Sequence, residues 1–247
     1  NEGRQGQDVV LTIDADLQAY ASGLLEAESA GAVVLDIRTG DILSMISTPT
    51  FEPGAFGVGM SRDDWNSLVS DPRKPLVNKA VSGQYPPGST FKMIVALAAL
   101  EAGVTHEGHQ VFCSGEMELG DRKFHCWKHD GHGEMSLASA IEQSCDIYFY
   151  DLAVRAGIDR ISEMALRFRL GSTHELGLGV GRSGLIPTRA WKFARTGEPW
   201  QAGETLITGI GQGFVLTTPL QLASMTAMLA NGGCLLYTSD AADEGLG

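Results

Sequence analysis

Ser89 and Lys92 are the pair of residues in this sequence with the clearest potential for chemistry. They lie in the stretch Y-P-P-G-S-T-F-K at positions 85–92, which is followed directly by the apolar run from Met93 to Leu100. Two prolines and a glycine cannot continue a regular element, whereas the apolar run indicates a buried helix, so a helix must begin at or next to Ser89. Residues three positions apart share one face of a helix, which lets the Lys92 amine reach back towards the Ser89 hydroxyl.

This arrangement predicts an activated serine nucleophile. The apolar neighbours of Lys92 would desolvate its side chain, and desolvation favours the neutral amine, which can accept a proton. The N-terminus of the helix adds a dipole that favours negative charge developing at Ser89. An S-x-x-K match alone arises by chance about once in a chain of this length, so the surrounding residues decide its weight.

Ser144 and Asp146 form a second candidate pair, just after a predicted short helix that ends near Gln143. On residue type alone, Ser144 fits a helix cap and Asp146 fits a carboxylate in the first turn of the next helix. The alternative is that Ser144 shares a proton network with Lys92 and relays a proton to a leaving group. The first motif favours this alternative.

Three cysteines and a histidine form a candidate metal set: Cys113, Cys126, His132 and Cys145, spaced C-x12-C-x5-H-x12-C. Three thiolates and one imidazole would make a closed tetrahedral Zn²⁺ site of structural type, although the spacing is not that of a zinc finger. The alternative is a Cys113–Cys126 disulfide, with Cys145 as a small buried core residue. His125 and His129 are alternative ligands or plain surface histidines. The predicted chemistry itself needs no cofactor.

Several elements must position these residues. The β runs Gly31–Asp36 and Asp41–Ser47 are joined by a tight turn that contains Gly40, which predicts a central antiparallel hairpin. Asp8–Ile13 is a short strand signal, and Asp14 is a good N-cap for a helix that reaches about Ala27.

Two long stretches lack a periodic apolar pattern. Val104–Gly133 is rich in Gly, His and Cys, which predicts a long functional loop or a small inserted subdomain. Trp191–Gly203 is predicted as a further loop. Between them, helical patterns cover Ser136–Gln143, Ile147–Ala156 and Ile158–Arg169.

Composition excludes several classes of function. The net charge of −12 comes without a Lys/Arg cluster, so the sequence has no electrostatic footprint for nucleic acid. No apolar run reaches the roughly 18 residues of a membrane span, so any membrane anchor must lie outside these residues. A hydrophobic fraction of 43% in 247 residues is enough for a full core.

The motifs resemble those of class B penicillin-binding protein transpeptidases, from Val9 to Gly233. Y-P-P-G-S-T-F-K is similar to the active-site serine motif of penicillin-binding proteins and serine β-lactamases. L-T-I-D-x-x-L-Q at 11–18 and G-Q-G-x-x-x-x-T-P-L-Q at 211–221 match further family stretches, and S-C-D-x-Y-F-Y at 144–150 is the form expected of elongation-specific members. The chain departs from the family with F-E-P-G at 51–54 instead of F-D-P-N, and with Arg169 instead of glycine.

The resemblance implies an α/β fold in α+β layers, like that of β-lactamases and transpeptidases, with an antiparallel sheet flanked by helices. It also implies a D,D-transpeptidase that cross-links peptidoglycan. Ser89 would attack the penultimate D-Ala carbonyl of a stem peptide, Lys92 would take the proton, Ser144 would relay it, and Asp146 stands where the family usually has Asn. Serine β-lactamase activity and a non-catalytic penicillin-binding sensor or scaffold are the alternatives.

The resemblance further implies ligands, partners and a location. The ligands are stem peptides and β-lactams, and the partners are a cell-wall glycosyltransferase and other elongation proteins, with no nucleic acid. The location is the periplasmic face of the bacterial inner membrane, reached through an anchor that these residues do not contain.

The third family motif, K-T-G, does not occur in the 247 residues. The resemblance therefore predicts a transpeptidase domain over residues 1–233 that lacks the K-T-G strand, is incomplete at its C-terminal end and is inactive in this form. Residues 234–247 have no place in the family, and they resemble the translation of a transposase-type sequencing adapter. We expect this tail to be non-native.

Overall fold

The computed structural model describes residues 8–174, 176 and 181–234. The strands are β1 (Ala30–Leu35), β2 (Ile42–Thr48), β3 (Gln110–Cys113), β4 (Glu116–Leu119), β5 (Arg122–His125) and β6 (Gly133–Ser136). The helices are α1 (Ala15–Leu24), α2 (Gly54–Val58), α3 (Arg62–Ser70), α4 (Lys79–Ser82), α5 (Lys92–Glu101), α6 (Leu137–Glu142), α7 (Asp146–Ala156), α8 (Ile158–Arg167), α9 (Arg189–Thr196), α10 (Ala202–Gly209) and α11 (Pro219–Ala230). Within the described ranges, every helix is too short or too polar to cross a membrane.

The chain divides into two compact units, each built from separate stretches of sequence. The first unit comprises Asn1–Gln84, Thr173–Ser183 and Thr218–Gly247, and the second comprises Tyr85–Ser172 and Gly184–Thr217. All the candidate catalytic and metal-binding residues belong to the second unit.

The first unit is built on the predicted hairpin, which is confirmed. β1 pairs antiparallel with β2, with Ala30 opposite Thr48, and the register shifts between Val34 and Leu35. Helices α1, α4 and α11 pack against the hairpin. The core between them contains Ala80, Val81 and Leu220, with Val33, Ile42 and Met45 packed around it. The predicted antiparallel sheet flanked by helices is therefore observed in this unit.

The N-terminal strand predicted at Asp8–Ile13 is wrong, because this segment forms no β ladder. It is tied to β2 by two isolated bonds: the Thr12 hydroxyl donates to the Ile42 carbonyl at 2.8 Å, and the Asp14 N–H donates to the Leu43 carbonyl at 2.9 Å. The predicted cap is confirmed, since the Asp14 carboxylate accepts from the Leu17 N–H at 2.9 Å. The helix that it caps ends at Leu24, one turn earlier than predicted.

The second unit has a helical core. Helix α5 packs on α7 and α8, and α10 packs on α7. The buried side chains include Ile94 and Val95 from α5 and Tyr148, Phe149 and Leu152 from α7. Helix α5 is apolar on most of its faces because it lies inside this core, which is what the alanine-rich run after Lys92 predicts.

Val104–Gly133 is a small subdomain of strands, so the loop alternative is wrong. β3 pairs antiparallel with β6, placing Cys113 opposite Gly133, and β4 pairs antiparallel with β5. Each of these strands has only four residues. A strand of that length is too short to display a reliable alternating pattern in the sequence.

The loop predicted at Trp191–Gly203 is also wrong, because α9 and α10 occupy most of it. Thr188 caps α9 by accepting from the Trp191 N–H at 3.0 Å. The Lys192 ammonium is buried, pairs with Glu204 at the start of α10, and donates to the Pro199 carbonyl at 2.9 Å. Capping and tertiary pairing therefore stabilise two helices of only eight residues each.

Candidate active site

Ser89 lies in a 3₁₀ turn, Gly88–Phe91, which leads directly into α5. The Gly88 N–H donates to the Gly211 carbonyl at 2.9 Å. A Cβ at Gly211 would lie only 2.1 Å from the Gly88 carbonyl oxygen, and the φ of Gly211 is +71°. Glycine at position 211 therefore allows the G-Q-G stretch to approach the serine turn closely.

Lys92 is buried, with 2% of its surface exposed, and its ammonium makes three hydrogen bonds. It donates to the Ser144 carbonyl at 2.8 Å, to the Ser144 hydroxyl at 2.9 Å and to Asp146 Oδ1 at 2.7 Å. Its nitrogen also lies 5.5 Å from the centre of the Phe149 ring. A buried ammonium with three donors is fully satisfied by this set of acceptors.

Ser144 connects the lysine to the nucleophile. The hydroxyl oxygens of Ser144 and Ser89 are 2.7 Å apart. Among the hydrogen bonds of the described residues, none joins Lys92 directly to Ser89, which differs from the direct contact expected from sequence. The ammonium is directed instead towards the Asp146 carboxylate, because a buried cation is best stabilised by an anion.

The backbone at Ser144 is unusual. Its φ is +52°, in the left-handed region that non-glycine residues seldom occupy. Ser144 is not the N-cap of α7, since Cys145 holds that position, so the interpretation of Ser144 as an N-cap is wrong. Its left-handed backbone belongs to the C-terminal cap of α6, in which the Cys145 N–H donates to the Ala140 carbonyl at 2.9 Å. Asp146 does lie in the first turn of α7. All four residues predicted from sequence as catalytic are thus brought together in one network.

The four predicted metal ligands also converge. One ligand atom from each of Cys113, Cys126, His132 and Cys145 lies within 4.8 Å of the other three. His132 Nδ1 is 3.5 Å from the Sγ atoms of both Cys113 and Cys126. The cysteines are almost fully buried and all are free thiols, so the predicted Cys113–Cys126 disulfide is not formed in this structure.

The distances between the four ligand atoms would match those around a tetrahedral ion if the cluster contracted slightly. Bonds of about 2.0–2.3 Å give ligand-to-ligand distances of roughly 3.5–3.8 Å. Glycine at position 131 allows its loop to approach the end of β3 closely, since a Cβ there would lie 2.2 Å from the Cys113 carbonyl oxygen. His125 and His129, the alternative ligands, are exposed and lie outside the cluster.

Burial determines the charge of the cluster. It raises the pKa of the Cys145 thiol to about 12, and it lowers the pKa of the His132 imidazole. The Cys145 thiol and the His132 imidazole are therefore uncharged at neutral pH. His132 Nε2 is buried and has no hydrogen-bond partner, while Nδ1 faces the sulfurs. Three thiols and one imidazole are soft donors suited to a thiophilic cation, which would displace thiol protons on binding.

Trp127 is a site residue that sequence reasoning missed. Its backbone N–H donates to Asp146 Oδ2 at 3.0 Å, and its indole N–H donates to the Ser144 and Gln143 carbonyls, each at 3.1 Å. Its ring packs edge to face on His132, with ring centres 5.3 Å apart. The signal available in the sequence was its position next to Cys126.

Comparison with known proteins gives a consistent result. A protein-family model described as the penicillin binding protein transpeptidase domain matches residues 30–239. The chain is 41% identical over 230 residues to the peptidoglycan D,D-transpeptidase MrdA of Escherichia coli K12, which covers 92% of this chain and 36% of that protein. The chain thus spans about a third of the length of this curated relative.

Two solved structures are similar over nearly the whole chain. The crystal structure of Pseudomonas aeruginosa PBP2 in complex with WCK 5153 is 44% identical, with a TM-score of 0.86, over 92% of this chain and 52% of that one. The PBP2 of a Helicobacter pylori complex with MreC is 36% identical, with a TM-score of 0.87, over 91% of this chain and 42% of that one.

Proposed function

This chain belongs to the penicillin-binding protein transpeptidase family, and from that premise we propose that it carries the acyl-transfer site of a peptidoglycan D,D-transpeptidase for cell-wall elongation, inhibited by β-lactams. The observation that carries the proposal is the network in which Ser89, Ser144, Lys92 and Asp146 are joined by hydrogen bonds of 2.7–2.9 Å. The similarity to MrdA supports the choice of reaction.

The first half of the reaction forms an acyl-enzyme. The reaction starts after the Lys92 ammonium has released one proton to solvent. Ser89 Oγ then attacks the carbonyl carbon of the penultimate D-Ala of a stem peptide, while its proton passes to Ser144 Oγ and the Ser144 proton passes to the neutral Lys92 amine. The amide C–N bond then breaks, and the leaving D-Ala nitrogen takes a proton back through the same path.

The second half transfers the acyl group. An amine of a neighbouring stem peptide attacks the ester carbonyl and gives up one proton to Lys92 through Ser144. The C–O bond to Ser89 then breaks, and the serine oxygen takes that proton back through the same path. Asp146 stabilises the protonated form of Lys92 that arises within each half of the reaction, because its Oδ1 lies 2.7 Å from the Lys92 nitrogen. No cofactor takes part in this scheme.

Labelling with a fluorescent penicillin tests the proposal. The chain is extended by a segment that carries a K-T-G motif, is incubated with the label, and is digested for mass mapping. We expect a stable adduct on Ser89. An adduct elsewhere, or none, contradicts the proposal, and rapid hydrolysis of the Ser89 adduct identifies a serine β-lactamase instead. A cell-wall role that survives Ser89→Ala identifies a non-catalytic sensor or scaffold.

Partners and location follow from the same premise. A relative forms a complex with MreC, which supports a place among elongation proteins for this chain, together with a cell-wall glycosyltransferase. The reaction would take place at the periplasmic face of the inner membrane, where peptidoglycan lies. We expect the extended protein to co-purify with such partners from membranes. A variant whose second unit is unfolded should not co-purify with them.

We also propose that Cys113, Cys126, His132 and Cys145 hold a structural Zn²⁺. The ion would tie the end of β3, the residue after β5 and the start of β6 to the motif that contains Ser144 and Asp146. Metal analysis of protein purified without chelator should find about one zinc per chain. The exposed Cys234 provides a matched control, because Cys234→Ser should keep the zinc and Cys126→Ser should lose it. Zinc-free protein, or a mass lower by two hydrogens through a disulfide, rules the site out.

A further inference from the structure

Trp127 is an exposed residue, yet its backbone N–H and its indole N–H both donate hydrogen bonds within the protein. Its exposed fraction is 61%, yet its backbone N–H bonds to Asp146 Oδ2 and its indole N–H bonds to the Ser144 and Gln143 carbonyls. A tryptophan on a protein surface can satisfy its indole N–H with water. Here the indole is fixed in one orientation against the backbone of the catalytic motif.

The acceptors of Trp127 are also the groups that hold Lys92. The Ser144 carbonyl accepts from Lys92 at 2.8 Å and from the indole at 3.1 Å. The Asp146 carboxylate bonds to Lys92 through Oδ1 at 2.7 Å and to the Trp127 backbone N–H through Oδ2 at 3.0 Å. Lys92 and Trp127 therefore share two acceptor groups, the Ser144 carbonyl and the Asp146 carboxylate, although these bonds do not join the two residues to each other.

Lys92 and Trp127 differ as hydrogen-bond donors in one respect that matters for catalysis, because only Lys92 changes its protonation state. A neutral Lys92 has only two N–H groups, so when the lysine changes protonation state it cannot keep all three of its present bonds. The indole and backbone N–H groups of Trp127 do not titrate, so their bonds persist through the cycle. The left-handed backbone of Ser144, with a φ of +52°, is held by two bonds that close α6: the Ser144 N–H donates to the Ile141 carbonyl at 3.2 Å and the Cys145 N–H donates to the Ala140 carbonyl at 2.9 Å. The indole of Trp127 adds a bond to the Ser144 carbonyl, which these capping bonds do not use.

We propose that Trp127 is a positioning residue for acylation, which keeps Ser144 and Asp146 in place while Lys92 gains and loses a proton. This inference rests on the function proposed above. Trp127 also connects the motif to the Cys/His cluster, since it follows Cys126 in sequence and its ring packs on His132 at 5.3 Å between ring centres, with an angle of 67°. A change in the cluster is thereby transmitted to Ser144.

Trp127→Phe tests the positioning role, because phenylalanine keeps an aromatic ring against His132 and removes the indole donor. Time courses of labelling at several penicillin concentrations, in the K-T-G-extended chain, separate the binding constant from the rate constant of acylation. We expect the rate constant to fall about three- to tenfold, the usual effect of one lost hydrogen bond, with the binding constant changed less than about twofold.

Trp65→Phe is the matched control, since Trp65 is another partly exposed indole, 45% exposed, in the other unit. It should label at the wild-type rate. Three results in Trp127→Phe would overturn the positioning role. They are an unchanged acylation rate, a loss confined to the binding constant, and a loss of rate that follows the fraction of unfolded protein. If the wild-type chain forms no Ser89 adduct, the proposed function fails first, and this inference fails with it.

Tryptophan fluorescence tests the link to the cluster without any activity measurement. Adding Zn²⁺ to chelator-treated protein should shift the emission of the wild type and of Trp65→Phe, and should leave Trp127→Phe almost unchanged. A response of equal size in Trp127→Phe, or none in any of the three proteins, overturns the link.

Discussion

The hydroxyl oxygens of Ser89 and Ser144 lie 2.7 Å apart, and the Lys92 ammonium donates to the Ser144 hydroxyl at 2.9 Å. Ser144 is therefore the middle member of a three-residue chain of hydrogen bonds, which is the proton path proposed above. This order distinguishes the roles of the three side chains experimentally.

The first prediction concerns the proton path. Ser89→Ala should abolish penicillin labelling in the K-T-G-extended chain, whereas Ser144→Ala should slow it by about 10²–10⁴-fold, the usual contribution of a general acid–base group. Thr90→Ala is the matched control, because the Thr90 hydroxyl donates to the Pro87 carbonyl at 2.8 Å and lies outside the path. Labelling of Ser144→Ala at the wild-type rate would show that Lys92 reaches Ser89 without it.

The second prediction concerns the buried ion pair. Lys92→Met should abolish labelling and also lower the free energy of unfolding by about 3 kcal/mol, because it leaves the Asp146 carboxylate, whose side chain is only 13% exposed, without its cation. The double variant Lys92→Met/Asp146→Asn removes that uncompensated charge. Urea denaturation should show that it regains most of the lost stability while labelling stays absent. Equal stability of the single and double variants would contradict a coupled pair.

The third prediction concerns the glycine beside the serine turn. Gly211→Ala should lower the free energy of unfolding by about 3 kcal/mol and slow acylation, because its Cβ would lie 2.1 Å from the Gly88 carbonyl oxygen. Gly120→Ala is the matched control, with a φ of +59° but open space around the new methyl group. It should cost about 1 kcal/mol, from backbone strain alone. If thermal or urea denaturation shows that Gly211→Ala and Gly120→Ala lose similar amounts of stability, the close approach to Gly88 is not the cause of the loss.

The fourth prediction concerns pH and metal binding. Because burial raises the pKa of the Cys145 thiol to about 12, the thiol carries its proton at neutral pH and Zn²⁺ must displace it. Zinc affinity should therefore fall as the pH is lowered, by up to about tenfold per pH unit for each proton released. Titration of metal-free protein with zinc in weak buffer should acidify the solution, and Cys145→Ala should release fewer protons. Binding that is independent of pH between about 6 and 8 would contradict thiolate ligation.

Sequence reasoning was sufficient for the residues whose roles are set by local chemistry. Ser89 and Lys92 are three positions apart, and the break at Pro86, Pro87 and Gly88 fixes where their helix can begin. The convergence of Cys113 with Cys145 was predicted from ligand type and from the position of the cysteines in the apolar-poor stretch that leads into the Ser144 motif. The hairpin of β1 and β2 was predicted because its turn and its apolar runs are adjacent in sequence.

The remaining features depend on contacts between distant residues. The direction of the Lys92 ammonium is decided by Asp146, 54 positions away, and helix α9 is held by a buried pair between Lys192 and Glu204. The role of Trp127 depends on β5 ending beside the motif that contains Ser144. Local helix propensity carries no information on contacts between distant residues. The predicted start of α5 could therefore place Lys92 near Ser89, but it could not show that Ser144 lies between them.

The non-native origin of residues 234–247 stays a prediction. Residues 235–247 lie outside the part of the chain that the structure describes, and the family match extends to residue 239, six residues past the predicted boundary at 233. Resequencing the source DNA beyond the codon for Asn231 tests it directly. Genomic sequence that encodes the same tail would show that the chain continues naturally there.

The left-handed backbone at Ser144, with its φ of +52°, restricts which mutations can be accepted at this position. Threonine has the same hydroxyl, but its branched Cβ is disfavoured at positive φ. Glycine adopts this backbone freely but has no hydroxyl to pass a proton. Under the proposed mechanism, neither exchange keeps both the backbone conformation and the hydroxyl that relays the proton, so serine is the residue that meets both requirements at this position.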